Sequence, residues 1–177
     1  MTRFPAAPWP TGLKATSWIA TVVLGGATYA LIKAIPGATR VPFAETFGRF
    51  MAFVPLLIAL IAVLYVVTAY EVEGTELRAR RLLWATRVPL GGLTRAWHDP
   101  EALKGSIRLF GNGGLYSVTG LFQSRRLGRY RAFVTDPARA VVLELEKRTV
   151  VVSPADPAAF LQLLPVLIPG VRTGAAP

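Results

Sequence analysis

Residues 50–70 read FMAFVPLLIALIAVLYVVTAY, a run of 21 residues without a charged side chain. As an α-helix this run is about 31 Å long at ~1.5 Å per residue, which matches the ~30 Å hydrocarbon core of a bilayer. A second run of equal length, residues 15–35, precedes it and carries only Lys33, whose long side chain can reach the interface. The sequence therefore predicts a transmembrane hairpin with spans at 15–35 and 50–70.

The composition of the remaining chain bounds what can follow the hairpin. The 107 residues after Tyr70 are enough for one small domain, and they carry fifteen basic against nine acidic residues. A basic domain displayed at a bilayer is attracted to anionic headgroups, although the same composition also serves solubility. The chain has no cysteine, which excludes disulfides, thiol nucleophiles and thiolate metal sites.

The distribution of basic residues around the spans indicates their orientation. Six flank the spans on the side of the termini and three lie in or beside the short connection: Arg3, Lys14, Arg78, Arg80, Arg81 and Arg87 against Lys33, Arg40 and Arg49. Because cytoplasmic flanks carry the excess of Lys and Arg, this asymmetry predicts that both termini lie in the cytoplasm. Trp18 and Tyr70 are expected at the cytoplasmic interface, and residues 36–49 are expected to form a short hairpin connection.

Small residues recur every four positions in the first span, at Gly26, Ala30 and Ala34. Such a stripe lets another helix approach closely, and it predicts packing against the second span or against a second copy of the chain. Ordinary use of small residues in a membrane helix is the alternative. Pro55 lies near the start of the second span, where it costs little or introduces a slight kink.

Beyond residue 70 the pattern changes to short runs rich in β-branched and aromatic residues, separated by turn residues. The candidate strands are 70–72, 76–83, 86–97, 106–109, 115–119, 129–135, 141–146 and 149–152. A helix is predicted after them, because Ser153 and Pro154 suit a cap and a first helical residue, and apolar residues from Phe160 onward follow at helical spacing. Pro165 is expected to kink or end this helix early.

These elements predict an α+β chain with four parts. Residues 1–14 are an N-terminal cytoplasmic tail, 15–70 the transmembrane hairpin, 71–168 the folded domain and 169–177 a disordered tail. Seven or eight short strands followed by one helix predict a small bent antiparallel sheet or partly open β-barrel, capped by the C-terminal helix.

The motifs of the folded part are similar to a known family. The run RLFGNGGLYSVTGLF at 108–122, followed by LGRYRAFVTD at 127–136 and VVVSPADPAAFLQLL at 150–164, resembles the bacterial pleckstrin-homology-like (PH-like) domain. The resemblance covers residues 71–168, and membrane spans ahead of such a domain are common in these bacterial proteins. Together with the two spans, it implies a multi-pass protein of the bacterial inner membrane. It implies a binding or assembly domain rather than a catalyst.

Residues that suggest catalysis or cofactor binding lack the neighbours that such chemistry needs. The segment FGNGGLY at 110–116 has Tyr116 where a dinucleotide fingerprint needs glycine, so it predicts a tight turn between strands. His98, beside Asp99, has no nucleophile or second metal ligand nearby in the sequence, and the same holds for Ser117. We therefore expect no enzyme activity, cofactor, metal or nucleic-acid partner.

Arginines are the better candidates for a binding surface, since their planar fork donates paired hydrogen bonds to phosphate. They form two clusters in the sequence: Arg78, Arg80 and Arg81, and then Arg125, Arg126, Arg129 and Arg131. The resemblance implies a lipid site only in part. Arg78-Ala79-Arg80 matches the basic pair of phosphoinositide-binding PH domains, but the Gly74-Thr75 turn lacks their lysine. Generic contact with anionic lipid is expected, with a solvated basic surface as the alternative.

Two functions remain open from the sequence. The first is an integral membrane protein that displays a non-catalytic PH-like domain for binding a protein or an anionic lipid surface, and for assembly, including with itself. The second is an accessory subunit of a membrane transporter or enzyme, in which the hairpin is the functional interface. Tyr116, Phe122 and Tyr130 are candidate contact aromatics, with core packing as the alternative.

Overall fold

The computed structural model describes residues 2–34 and 42–174. Four α-helices are present in these ranges, α1 (Thr11–Ala34), α2 (Pro42–Ala52), α3 (Val54–Leu64) and α4 (Pro157–Leu167), together with a short 3-10 helix at Pro137–Arg139. The strands are β1 (Thr2–Pro5), β2 (Ala69–Glu73), β3 (Glu76–Arg80), β4 (Ala85–Pro89), β5 (Leu93–His98), β6 (Ile107–Gly113), β7 (Val118–Ser124), β8 (Gly128–Val134), β9 (Val141–Leu145), β10 (Arg148–Val152) and β11 (Arg172–Gly174).

Two helical segments are long and apolar enough to cross a membrane, judged by length and composition only. They are Thr11–Ala34 and Thr46–Leu64. The second begins in α2 and continues through α3, with a break at Phe53, because Pro55 has no N–H for the helical ladder. Part of the predicted connection 36–49 and the predicted last span residue, Ile35, lie outside the described residues; from Pro42 onward the connection is helical.

The apolar run at 50–70 is not one helix, which corrects the predicted boundary. Helix α3 ends at Leu64, and Ala69–Glu73 is a strand. Tyr70, expected at the membrane interface, is instead fully buried in the domain core. The last part of the run is apolar because Val67 and Tyr70 pack in this core, so one continuous run serves two different apolar environments.

The domain consists of two sheets without a closed barrel among the described residues. The smaller sheet has the order β1-β2-β3-β4, and the larger has the order β11-β5-β9-β10-β8-β7-β6. Most pairs are antiparallel as predicted, but β8–β10 and β5–β11 are parallel. The main core combines side chains of both sheets with Phe160 and Leu164 of α4, so the helix closes the space between the sheets.

The N-terminal residues belong to the domain rather than to a free tail. Strand β1 pairs with β2 in antiparallel register, with Pro5 opposite Ala69. The backbone N–H of Ala7 donates to the carbonyl of Ser153 (2.8 Å), and the ring of Phe4 meets that of Phe160 edge to face. The helical hairpin is therefore an insertion between two neighbouring strands, and it begins and ends at the same end of this strand pair.

Several local predictions are corrected by the strand and helix boundaries. The predicted strand 86–97 is two strands, β4 and β5, since the turn between them contains Gly92 at φ +79°. Strand β7 extends to Ser124, beyond the predicted 115–119. Within the predicted disordered tail, residues 172–174 pair with β5 through backbone hydrogen bonds.

The C-terminal helix begins three residues later than predicted. Asp156 is its cap, with its carboxylate accepting from the N–H of Ala159 (3.0 Å), and Pro157 takes the first turn. Ser153 is buried and accepts instead from the N–H of Thr135 (2.8 Å). Pro165 lies inside the helix, which continues to Leu167, so it does not end the helix early.

Candidate lipid-binding surface and cavity

Arg78 and Arg80 are occupied by acidic neighbours on the smaller sheet. The Nε of Arg78 lies 2.6 Å from Oε1 of Glu76, and this hydrogen bond holds the pKa of the Glu76 carboxyl below its ordinary value. The Nε of Arg80 lies 3.2 Å from Oε1 of Glu71, which is itself buried. Because both arginines form ion pairs within the smaller sheet, they are poor candidates for an anion site.

Arg81 has a different environment from its two neighbours in sequence. It is only 8% exposed, and no carboxylate among the described residues pairs with it. Its Nη1 donates to the carbonyl of Tyr65 (3.2 Å) at the end of α3, and its guanidinium carbon lies 4.6 Å from the centre of the Tyr65 ring. Burial lowers the pKa of Arg81, and the like charge of Arg131 lowers it further.

The loop that follows Arg81 presents apolar side chains to the outside. Leu82 and Trp84 are exposed, and Leu83 is 75% exposed. The Trp84 ring packs edge to face on Tyr65 with 5.2 Å between centroids, which places the loop beside the end of α3. This exposed apolar loop, residues 82–84, was not predicted as a site, although the letters LLW directly after two arginines are a visible signal.

The second arginine cluster is divided by the turn between β7 and β8. Arg126 forms an ion pair with the buried carboxylate of Asp99. Arg125, Arg129 and Arg131 are exposed, and none of them has an ion-pair partner within the described part of the chain. The structure therefore separates the seven predicted arginines into a paired set, the buried Arg81, and three exposed cations.

A cavity of about 820 Å³ lies between α3 and the β6–β8 side of the larger sheet. Its apolar wall includes Ile58 and Ile61 of α3 and Phe110 and Leu121 of the sheet. Three arginines also line it, Arg81, Arg108 and Arg131, whereas no carboxylate does. The volume falls within the ~300–1,000 Å³ typical of ligand sites.

Two facing glycines allow β6 and β7 to form the sheet side of this cavity. Gly111 and Gly120 are paired in register at φ +107° and +142°. A Cβ on Gly120 would lie 2.2 Å from the carbonyl oxygen of Phe110, and one on Gly111 would lie 2.4 Å from that of Thr119. The glycine-rich segment thus serves close strand pairing, and the turn predicted from it follows at residues 114–117, where Tyr116 has φ +64°.

The sequence profile of a family described as Bacterial PH domain matches residues 68–168, more than half of the chain. The chain belongs to this family. The similarity predicted from the motifs is therefore confirmed, and the two sheets with a C-terminal helix are consistent with a PH-like fold. Neither a curated protein nor a solved structure matches the chain significantly. Strand β1 and the hairpin lie outside the matched residues.

Tyr116 of the bacterial PH domain forms hydrogen bonds to the first helix, α1. Its backbone N–H donates to Oγ of Ser17 (3.0 Å), and its hydroxyl lies 2.6 Å from Oγ1 of Thr21. Ser17 and Thr28 are buried on this face of α1, whereas Gly26, Ala30 and Ala34 are all exposed. Within the chain, α1 thus uses a Ser/Thr face, and the predicted stripe of small residues is exposed rather than packed against α3.

Of the remaining candidates of the bacterial PH domain, the two aromatic residues and His98 have structural contacts, whereas the hydroxyl of Ser117 has no hydrogen-bond partner among the described residues. Phe122 and Tyr130 stack in a second core on the outer face of the larger sheet, with ring centroids 5.9 Å apart. The Nε2 of His98 lies 3.0 Å from the carbonyl of Ala138, and Ser117 is fully buried. Within residues 2–34 and 42–174 no cluster of three potential metal ligands occurs.

Proposed function

We propose that this protein is a non-catalytic binding module, anchored in the bacterial inner membrane with both termini cytoplasmic, whose PH domain binds anionic headgroups of the bilayer that anchors it. The observation that carries this proposal is the exposed apolar loop 82–84 beside the end of α3. An amphipathic surface at the root of a membrane span meets the headgroup region, where aromatic and apolar side chains are favourable.

The helices support the membrane placement. Large apolar side chains of α1 and α3 are exposed, among them Ile19, Val22, Val23, Leu57, Ile58 and Leu60. An apolar surface of this extent is unfavourable in water and favourable in hydrocarbon. Because β1 and β2 are neighbours in one sheet, the two helices start from the same side of the domain, which agrees with termini on one side of the bilayer.

The exposed arginines supply the affinity for anionic lipid. Arg129 and Arg131 lie two residues apart on the same face of β8, and Arg131 lines the cavity beside α3. This face is therefore turned toward the end of the second span. Each basic side chain near an anionic surface contributes about 1 kcal/mol of attraction at low salt.

Hydrogen exchange of the full-length protein in lipid nanodiscs tests the proposal. Amides of residues 81–84 should exchange more slowly in phosphatidylglycerol than in phosphatidylcholine, and the difference should shrink as salt rises, because salt screens exposed charges. Arg129→Gln should reduce the difference. Arg172→Gln is the matched control, since Arg172 is also exposed but lies on β11 at the opposite edge of the sheet. Equal exchange in both lipids would contradict the proposal.

A second candidate, an accessory subunit of a membrane transporter or enzyme, is favoured by one observation. The stripe of Gly26, Ala30 and Ala34 is exposed on α1, and a Cβ on Gly26 meets nothing within 4 Å, so the face is open to another helix. Gly26→Leu should then abolish crosslinking to a partner in the native membrane, while Val22→Leu on another exposed position should not. Unchanged crosslinking in both variants would argue against this candidate.

A further inference from the structure

The cavity between α3 and the larger sheet combines an apolar wall with an uncompensated positive charge. Ile58 and Ile61 belong to the helical segment proposed to cross the membrane, and Phe110, 80% exposed, extends the apolar surface on β6. The cations enter from three elements: Arg81 from the end of β3, Arg108 from β6 and Arg131 from β8. The cavity is thus amphipathic, with a hydrocarbon side and a cationic side.

Two of the arginines converge on one aromatic ring. The guanidinium carbon of Arg81 lies 5.8 Å, and that of Arg131 5.2 Å, from the centre of the Phe133 ring. The like charge of Arg131 acts on Arg81, and both groups line the same space. Two guanidinium groups that line one cavity without a carboxylate repel each other, and an anion bound in the cavity offsets the repulsion.

Buried polar atoms at the cavity wall lack partners. Nε of Arg81 and Oγ1 of Thr119 are inaccessible, and neither has a hydrogen-bond partner within the described ranges. A buried guanidinium with an unused N–H costs free energy, and an anion bound near the charged group offsets part of this cost. Arginine donates two parallel hydrogen bonds to a phosphate, and three arginines offer several such pairs.

We propose that this cavity holds one anionic glycerophospholipid from the surrounding leaflet, with its phosphate among Arg81, Arg108 and Arg131 and an acyl chain along Ile58, Ile61 and Phe110. The inference deepens the proposed function and rests on its membrane placement of α3. It differs from surface attraction because one lipid is held at a defined site. The charge of the arginines selects an anion, and the apolar wall, continuous with a membrane span, selects a lipid over a soluble phosphate.

Native mass spectrometry of the full-length protein, released from nanodiscs of equimolar phosphatidylglycerol and phosphatidylethanolamine, tests this site. One phosphatidylglycerol should remain bound per chain. Arg108→Gln and Arg131→Gln should each lower its occupancy at least tenfold, and Leu121→Trp should lower it by filling the cavity. Arg172→Gln, which also removes an exposed arginine of the larger sheet but lies on β11 and does not line the cavity, is the matched control and should retain the lipid. Excess inorganic phosphate should not displace the lipid, whereas a short-chain phosphatidylglycerol should.

The outcomes separate this inference from the proposed function. Absence of a retained lipid, equal retention of both lipid types, or equal occupancy in Arg131→Gln and Arg172→Gln would overturn the lipid site. Displacement by inorganic phosphate would show an anion site without a lipid and would also overturn it. In each case the salt-dependent protection of residues 81–84 is measured separately, and it decides whether surface binding stands alone.

Discussion

Replacing Tyr70 by phenylalanine tests the boundary between the second helix and the domain. The side chain is 0% exposed, its hydroxyl donates to the carbonyl of Phe133, and it accepts from the N–H of Ser153 at 3.0 Å. Tyr70→Phe keeps the ring but removes both hydrogen bonds. The buried N–H of Ser153 is left without its acceptor, and Ser153 links β10 to α4.

The expected loss of stability follows from these two bonds. A net hydrogen bond is worth about 1 kcal/mol, and an unsatisfied buried donor costs about 1–3 kcal/mol, so the free energy of unfolding should fall by about 2–4 kcal/mol. For a chain of this size, that corresponds to a fall in Tm on the order of 5–15 °C. If Tyr70 lay at a membrane interface instead, the same substitution would lower the free energy of unfolding by about 0.5 kcal/mol or less.

Urea unfolding of the full-length protein in mild detergent, followed by tryptophan fluorescence, measures this difference. Tyr29→Phe is the control, since Tyr29 is 65% exposed on α1 and the same hydroxyl is removed. A loss for Tyr70→Phe no larger than that for Tyr29→Phe would refute the placement of Tyr70 in the core, and with it the end of the helix at Leu64.

Three further predictions follow from buried or strained positions. Burial raises the pKa of Tyr70 to about 12 from an ordinary 10.0, so the unfolded chain loses this proton at a lower pH than the folded chain. The free energy of unfolding of the wild type should therefore decrease as the pH rises from about 10 to about 12, and it should decrease less in Tyr70→Phe. Gly120→Ala should cost at least ~2 kcal/mol in the same unfolding assay, because its Cβ would lie 2.2 Å from a backbone oxygen at positive φ, whereas Gly91→Ala, which meets nothing within 4 Å, should change it by less than about 0.5 kcal/mol. Tyr116→Phe removes the hydrogen bond to Thr21, so the free energy of unfolding should fall by about 1 kcal/mol. Amide hydrogen exchange of residues 114–118 should become faster, and unchanged exchange would show that the hydroxyl does not hold the domain against α1.

The sequence predicted which segments are helices and which are strands, but it placed several of their first and last residues wrongly. Hydrophobic periodicity separates the hairpin from the strands, because helix and strand bury side chains at different spacings. It cannot separate a membrane helix from a buried strand that follows directly, since both are continuously apolar. Residues 65–70 were therefore placed in a span, although Val67 and Tyr70 pack in the domain core.

Capping was misplaced for a related reason. Ser153-Pro154 and Asp156-Pro157 offer the same local signal of a polar residue before proline, and both satisfy the rules for a helix start. The choice depends on Ser153, whose hydroxyl accepts from the backbone of Thr135 on a neighbouring segment. Such a contact between distant residues has no local sequence signal.

The candidate site was predictable in its chemistry and not in its arrangement. Arginine and apolar residues were visible as types, and they indicated an anionic, membrane-associated ligand. Pairing within the smaller sheet removes Arg78 and Arg80 from the site, and Asp99 takes Arg126. Arg108 is not part of an arginine cluster in the sequence, and it lines the cavity because β6 pairs with β7 beside α3.

By itself, the sequence determined two long apolar helices, a basic β-rich domain with one final helix, and membership of the bacterial PH domain family. These follow from composition, periodicity and motifs, which are local properties of the chain. The tertiary structure alone decided that β1 is an edge strand of the smaller sheet, that Tyr116 binds Ser17, and that Arg81 and Arg131 share one cavity with α3. Each of these depends on residues far apart in the sequence, whose contacts are fixed only when the two sheets pack on their common core.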